Sequence, residues 1–84
     1  MRKTRALRKP SSPLTAILAD NIRTFREEKI LSQEEFADLC GLHRTYVGSV
    51  ERGERNVTLS TLEVFASVMG VSVPQLLTGK TSKK

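Results

Sequence analysis

The stretch Leu31–Asn56, LSQEEFADLCGLHRTYVGSVERGERN, contains the most informative structural pattern of the chain. Ser32, with Glu35 three residues later, has the spacing of a capping box, in which a hydroxyl and a carboxylate each satisfy a backbone N–H at a helix start. Gly41 can adopt the left-handed conformation of a C-terminal cap without strain. His43 can then cap a second short helix. The spacing predicts a helix-turn-helix, the motif whose second helix lies in the major groove of DNA.

Apolar residues of these two helices fall on faces that would pack together. Three residues of the first helix share one face at helical spacing: Phe36, Leu39 and Cys40. Ala37 lies where the helices would cross, and its small side chain permits close approach. Val47 and Val50, at i and i+3 of the second helix, are expected to point inward.

The polar residues around the second helix are the candidates for contacting DNA. Arg44 can present two N–H donors to guanine O6 and N7, and Thr45 offers a hydroxyl and a methyl group. Ser49, one turn further along, is expected to face the same groove. Gln33, in the first turn of the first helix, is placed to hold a phosphate with its amide and the helix N-terminus. Three further candidates follow the second helix and are expected to meet the sugar–phosphate backbone or a neighbouring groove: Arg52, Arg55 and Asn56.

Three of these positions have an alternative role. Tyr46 either stacks or hydrogen-bonds at the DNA backbone, or packs its ring between the helices. His43 either caps the second helix or contacts a phosphate. Arg52 has a structural alternative, because it lies near Glu51 and Glu54.

The run resembles the Cro/C1-type helix-turn-helix (XRE) family, with the small residue, the glycine and the two inward aliphatic residues in register. Within that family, GLHRTYVGSVERGERNVTL is most similar to the controller proteins of restriction–modification systems. The resemblance covers roughly residues 21–77. It implies an all-α, five-helix lambda-repressor-like fold. It also implies a homodimer that binds double-stranded DNA at palindromic operators and times expression of its own gene and the endonuclease gene, activating at one position and repressing at another. Controllers often carry an acidic residue where His43 stands here, so the first contact of this helix can differ.

The resemblance also assigns roles to charged residues. It implies an ion pair between Arg26 and Glu51 that ties the first helix of the chain to the recognition helix, the alternative for Arg26 being a phosphate contact. Activation would need a surface that touches RNA polymerase. Glu34, Glu35 and Asp38 are candidates for that surface, and the alternative is an ordinary solvated helix face.

The C-terminal helices carry the candidate dimer interface. Controllers dimerise through these helices, and one recognition helix alone contacts only a few base pairs. The residues expected to contribute are Met69, Val71, Val73, Leu76 and Leu77. The alternative is that all of them are buried in the core of their own chain.

The remaining helices are predicted from caps and periodicity. The first helix should run from Pro13, after a Ser12 cap, to about Lys29. A capping-box spacing at Ser60 and Glu63 predicts the start of the fourth helix near residues 59–61. A short fifth helix, capped at residue 72, is expected to continue to about residue 78.

The chain of 84 residues fits one small domain over residues 13–79, and its net charge of +5 is unevenly placed. Residues 1–9 hold five basic groups and residues 80–84 hold three, whereas nine acids and six basic groups lie between, a net charge of −3. Residues 1–12 are therefore expected to be a basic disordered arm, which either follows DNA phosphates or is only solvated. Residues 80–84 are expected to be a basic tail.

Other functions find no support in the sequence. The single cysteine, Cys40, rules out an internal disulfide, fits a core position and suits a reducing bacterial cytoplasm, where the protein would lie with the nucleoid. With one histidine and no second thiol, neither a metal site nor a catalytic pair is expected. No cofactor motif, secretory signal or transmembrane segment is expected, so an enzyme is disfavoured.

Two alternatives to a controller remain. One is a phage-type repressor or a plasmid antitoxin that represses its own gene. The other, from a different functional class, is a protein-interaction module that kept the fold and binds no DNA. That module would have lost the polar residues at the start of the recognition helix, and Arg44, Thr45 and Ser49 argue against it.

Overall fold

The computed structural model describes residues 12–79, which form five helices and no strand. The helices are α1 (Ser12–Glu28), α2 (Gln33–Cys40), α3 (Arg44–Glu51), α4 (Leu59–Met69) and α5 (Val73–Leu76). The predicted all-α, five-helix fold is confirmed, with α2 and α3 forming the helix-turn-helix. The predicted basic arm (residues 1–12) and basic tail (residues 80–84) lie outside the described residues, except for Ser12, which belongs to α1.

The predicted capping residues of the helix-turn-helix are present. Ser32 Oγ accepts a hydrogen bond of 3.0 Å from the backbone N–H of Glu35, whose Oε1 accepts one of 2.8 Å from the backbone N–H of Ser32. Gly41 has a φ of 69° and ends α2 in the left-handed conformation that favours glycine. The turn between α2 and α3 is therefore set by local sequence.

The helix boundaries differ from the predictions at three places. The cap of α4 is Thr58 and not Ser60, because Thr58 Oγ1 accepts a hydrogen bond of 3.2 Å from the backbone N–H of Thr61. Helix α5 is one turn long and ends at Leu76 rather than near residue 78. Helix α1 includes Ser12 as its first residue.

An aromatic cluster connects three helices at the centre of the core. The ring of Phe36 on α2 stacks against Phe65 on α4, with ring centroids 5.9 Å apart, and meets Phe25 on α1 edge to face at 5.8 Å. Phe36 and Phe65 are fully buried, as is Val47 on α3. This packing fixes the orientation of the helix-turn-helix relative to α1 and α4.

Leu39 does not join this core as predicted, because its side chain is 59% exposed. The buried residues of α2 are Phe36, Ala37 and Cys40. At 100° per residue, Leu39 lies roughly 100° around the helix from the centre of that buried face. The eight-residue helix presents only this narrow face to the rest of the domain.

Asn21 connects the two ends of the domain, which the sequence did not predict. Its Nδ2 donates hydrogen bonds to the carbonyl oxygens of Leu76, at 2.8 Å, and Thr78, at 3.1 Å. These bonds satisfy carbonyl groups at the end of α5 that have no partner within the helix. They hold the short fifth helix against α1.

The turn from α1 to α2 contains a residue in an unfavourable conformation. Ile30 has a φ of 57°, in the left-handed region, and its side chain is 89% exposed. A β-branched residue rarely adopts this conformation. Since Ile30 buries little apolar surface, its side chain does not compensate for the conformational cost.

Candidate nucleic-acid interface

Helix α3 presents its first turn to solvent and buries the remainder. Arg44 and Thr45 are exposed, whereas all residues from Val47 to Glu51 are buried. A recognition helix contacts base edges mainly through its N-terminal residues. The exposed surface of α3 is therefore confined to the part that can enter a groove.

His43 is the predicted N-cap of α3. Its Nδ1 accepts a hydrogen bond of 3.1 Å from the backbone N–H of Thr45, so Nδ1 carries no proton in this arrangement. The imidazole is exposed, and the cap directs Nε2 away from the backbone group that Nδ1 binds. His43 can therefore cap the helix and still offer one nitrogen to a DNA oxygen.

A buried carboxylate at the end of α3 joins three segments of the domain. Glu51 Oε2 and Oε1 accept hydrogen bonds from Arg26 Nε, at 2.6 Å, and from its terminal nitrogen, at 2.8 Å. Arg23 donates to the carbonyl oxygen of Glu51 at 3.1 Å. Burial raises the pKa of the Glu51 carboxyl, but hydrogen bonds from Arg26 and Gln33 and the charges of Arg26 and Arg23 outweigh this effect and hold the pKa below its usual range.

Gln33 belongs to this same cluster. Its Nε2 donates a hydrogen bond of 3.1 Å to Glu51 Oε1, so one of its two N–H groups is engaged within the protein. A Cβ added at Gly48 would lie 3.3 Å from Gln33 Oε1 and 3.3 Å from a terminal nitrogen of Arg52. Because residue 48 has no side chain, the side chain of Gln33 at the start of α2 can pack closely against α3. The predicted phosphate contact of Gln33 is limited to its second N–H.

The prediction that Ser49 faces the groove is wrong for this structure. Ser49 is 6% exposed, and its Oγ donates a hydrogen bond of 2.7 Å to the carbonyl oxygen of Tyr46. The same oxygen accepts a hydrogen bond of 2.8 Å from Arg55 Nε. Ser49 follows the exposed first turn of α3 along the helix, but the side chain of Arg55 covers it.

The remaining predicted contacts lie around the end of α3. Tyr46 is half-buried, and the guanidinium of Arg55 lies over its ring, 5.1 Å from the centroid. Arg52 forms an exposed ion pair with Glu54, in which Nε and Oε2 are 3.0 Å apart. Asn56 is exposed in the loop that follows. Arg52, Arg55 and Asn56 therefore follow the end of α3, and Arg55 and Arg52 are each engaged by a neighbouring side chain.

The predicted dimer residues divide into two groups. Leu76 is 1% exposed and belongs to the core of its own chain, so its prediction as an interface residue is wrong. Its side chain is buried while its carbonyl is bound by α1. The other four are half-buried at the edge of that core: Met69, Val71, Val73 and Leu77.

Cys40 is a core residue, as expected. It is buried on α2, and burial raises the pKa of its thiol to about 11. Across residues 12–79, no group of three or more histidine, cysteine or acidic side chains could hold a metal ion. None of the helices in that range is long and apolar enough to span a membrane.

Three residues of this region were missed by sequence reasoning. Arg23 and Asn21 make long-range hydrogen bonds to backbone carbonyls, and neither position carries a local signal of its partner. Gly48 could have been noticed, because an isolated glycine inside a predicted helix often marks a close approach.

The five helices and the exposed first turn of α3 define a helix-turn-helix protein. The helix-turn-helix model HTH_3 matches residues 22–76, and the chain belongs to this family. It is similar to the control protein C.SmaI of Serratia marcescens, with 61% identity over 62 residues that make up 74% of each chain. Control proteins of restriction–modification systems are thus among its relatives, as the sequence resemblance implied.

Solved structures of controller proteins have the same fold. The restriction-modification controller protein C.AhdI from Aeromonas hydrophila matches with a TM-score of 0.68 and 40% identity, over 74% of this chain and 94% of that one. The controller C.Esp1396I, solved as a tetramer in complex with its natural 35 base-pair operator, matches with a TM-score of 0.69 and 33% identity. That match covers 79% of this chain and 87% of the controller.

Proposed function

We propose that this protein is a sequence-specific DNA-binding transcription regulator that acts as a homodimer and controls a restriction–modification system. The observation that carries the proposal is the exposed first turn of α3, where Arg44 and Thr45 stand on a helix whose residues from Val47 to Glu51 are buried. A helix that is held by a packed core favours selective contacts with DNA, because the backbone that carries Arg44 and Thr45 is fixed in position. Similarity to control proteins and to a controller solved on its operator supports the same function.

The proposed contacts separate into base and backbone groups. Arg44 donates to guanine O6 and N7, and Thr45 contacts a neighbouring base edge or thymine methyl. The remaining polar side chains contact sugar–phosphate oxygens and fix the register of the protein on the duplex. They are Gln33, His43, Tyr46, Arg52, Arg55 and Asn56.

The short stretch of DNA that one helix can contact supports a dimer. A single α3 covers only a few base pairs, whereas two copies related by a twofold axis contact half-sites about 34 Å apart. The half-buried apolar residues at the C-terminal end of the domain form the proposed interface: Met69, Val71, Val73 and Leu77.

Activation requires a second protein surface, which we place on α2. Glu34 and Asp38 are exposed, whereas Glu35 uses Oε1 in the capping box with Ser32. Glu34 and Asp38 are therefore free to meet RNA polymerase when the operator lies next to a promoter. Glu35 contributes mainly to the start of α2.

The function is tested by selection of bound duplexes from a random-sequence library, with the full chain at physiological salt. We expect a twofold symmetric site with half-sites about one helical turn apart. Footprinting on the DNA upstream of the gene for this protein and of any adjacent endonuclease gene then tests the controller role. Enrichment of no sequence would contradict the proposed function and favour the interaction module.

A further inference from the structure

Arg55 lies in the loop after α3 and is bound by two residues of that helix. Its Nε donates a hydrogen bond of 2.8 Å to Ser49 Oγ. The central carbon of its guanidinium lies 5.1 Å from the centroid of the Tyr46 ring. The Ser49 hydroxyl in turn donates to the carbonyl oxygen of Tyr46 at 2.7 Å. The three residues therefore form one connected unit on the surface next to the exposed turn of α3.

Ser49 has no hydroxyl proton left for DNA. A serine hydroxyl has one proton, and here that proton is directed to a backbone carbonyl within α3. The side chain is also buried beneath Arg55, so a base edge cannot reach it. Its remaining function in this surface is to accept a hydrogen bond from the arginine.

The bond to Ser49 uses Nε and leaves the two terminal NH₂ groups of Arg55 for other acceptors. Arg55 is exposed, so these groups can reach solvent or a ligand. The cation–π contact with Tyr46 restricts where the guanidinium can lie. A planar fork with a fixed direction suits a pair of acceptor atoms on DNA.

We propose that Ser49 and Tyr46 are positioning residues that hold Arg55 in its DNA-contacting orientation before DNA binds. This inference rests on the proposed function. Ordering a flexible arginine on complex formation weakens binding by roughly 2- to 10-fold, and here the ordering has already taken place within the free protein. The serine thus contributes to operator affinity without touching DNA.

The experiment compares four proteins: the wild type, Ser49→Ala, Arg55→Ala and the double variant. The probe is the duplex recovered most often from the random library by the wild type, with a scrambled duplex of equal composition alongside. We expect Arg55→Ala to weaken binding roughly 10-fold or more, because a charge-assisted hydrogen bond is lost. Ser49→Ala should weaken binding roughly 2- to 10-fold, and should cause no further loss in the double variant.

Ser67→Ala is the matched control, since Ser67 is an exposed serine on α4 outside the proposed contacts, and it should leave binding unchanged. Loss of affinity from Ser49→Ala by the same factor with and without Arg55 would overturn the positioning role. Failure of the wild type to select any duplex would instead refute the proposed function, and this inference with it. Equal weakening of both duplexes by Arg55→Ala is expected for the phosphate contact proposed above, whereas a loss confined to the selected duplex would assign the arginine to bases. In both cases the absence of a further loss in the double variant supports the positioning role.

A measurement without DNA tests the orientation itself. The Nε–H resonance of Arg55 should be shifted and slowly exchanging in the wild-type NMR spectrum, because its proton is bound by Ser49. Ser49→Ala should move it to the position of a solvated arginine while the amide spectrum of the core stays unchanged. An unaltered Nε–H resonance in Ser49→Ala would contradict the inference.

Discussion

Arg26 and Glu51 form two parallel hydrogen bonds, of 2.6 and 2.8 Å, between α1 and the last residue of α3. Both side chains are largely buried, at 14% and 4% exposure. Arg26 also donates to the carbonyl oxygen of Leu31 at 2.9 Å, and Gln33 reaches the same carboxylate. This ion pair therefore connects α3 to α1, to the turn that follows α1 and to the start of α2.

Removing the arginine should destabilise the whole domain. Arg26→Met leaves the Glu51 carboxylate buried without its cation, which costs about 3 kcal/mol or more of the free energy of unfolding. Urea titrations followed by circular dichroism would measure this loss. Arg52→Met is the matched control, because it breaks an exposed ion pair that contributes little in water. Equal midpoints for the two variants would contradict the structural role of Arg26.

The same carboxylate predicts a dependence of stability on pH. The pKa of Glu51 in the folded chain lies below its usual range. The Glu51 carboxylate therefore takes up a proton at a higher pH in the unfolded chain than in the folded chain. Its contribution is complete above the ordinary glutamate pKa, about 4.3, and is lost as the pH falls through that value toward the folded pKa. Urea titrations between about pH 6 and pH 3 should show this loss, and Glu51→Gln should flatten the acid limb. If Glu51→Gln lost stability between about pH 6 and pH 3 as steeply as the wild type, the pH dependence would belong to other carboxylates.

Arg44 should determine a base preference. Arg44→Ala is expected to weaken binding to the selected duplex by about 1–3 kcal/mol and to relax the preference at one position of each half-site. Binding to the scrambled duplex should change little. Fluorescence anisotropy with both duplexes, and a repeated selection with the variant, would measure the two effects. An equal loss on both duplexes would show that Arg44 binds phosphate.

The proposed dimer interface can be tested by the same substitution at the first residue of two helices, one inside the interface and one outside it. Val73 is the first residue of α5 and half-buried, and Leu59 is the first residue of α4 and exposed. An aspartate is tolerated at the first position of a helix. Val73→Asp should therefore yield folded monomers in sedimentation experiments, whereas Leu59→Asp should leave the dimer intact. Dimers of Val73→Asp would place the interface elsewhere.

A substitution at Leu76 should affect the stability of the fold rather than the dimer interface. Because its side chain is buried in its own chain, Leu76→Ala should lower the free energy of unfolding by about 2–5 kcal/mol. Extrapolation of denaturation data to infinite dilution separates this effect from dimer dissociation. A variant of unchanged stability that is monomeric would return Leu76 to the interface.

Ile30 is a site where a substitution should stabilise the fold. Ile30→Gly removes a Cβ from a left-handed conformation and loses little packing, so we expect a gain of about 0.5–1 kcal/mol in the free energy of unfolding. Leu39→Gly, at another exposed aliphatic residue but inside α2, should lose about 1 kcal/mol. Thermal unfolding of both variants checks the opposite signs. Destabilisation by Ile30→Gly would show that Ile30 makes a contact that offsets its conformation.

Local features of the structure could be predicted because their causes lie within a few residues. The capping box at Ser32 and Glu35, the left-handed Gly41 and the His43 cap each depend on neighbours two or three residues away. The ion pair of Arg26 with Glu51 was implied by the family resemblance and is present in the structure. Similar local reasoning failed at α4, where Thr58 and Ser60 both suit a cap and only the backbone conformation chooses between them.

The order of the helices, the caps of α2, α3 and α5 and the helix-turn-helix could be predicted from the sequence, since these follow from periodicity and from hydrogen bonds between near neighbours. Which polar and apolar groups remain available to a partner depends on the tertiary structure. Asn21 binds Leu76 across 55 residues, and Gln33 binds Glu51 across 18, so no local pattern specifies them. Burial depends on such distant contacts, which is why Ser49 is covered by Arg55 rather than exposed to a groove.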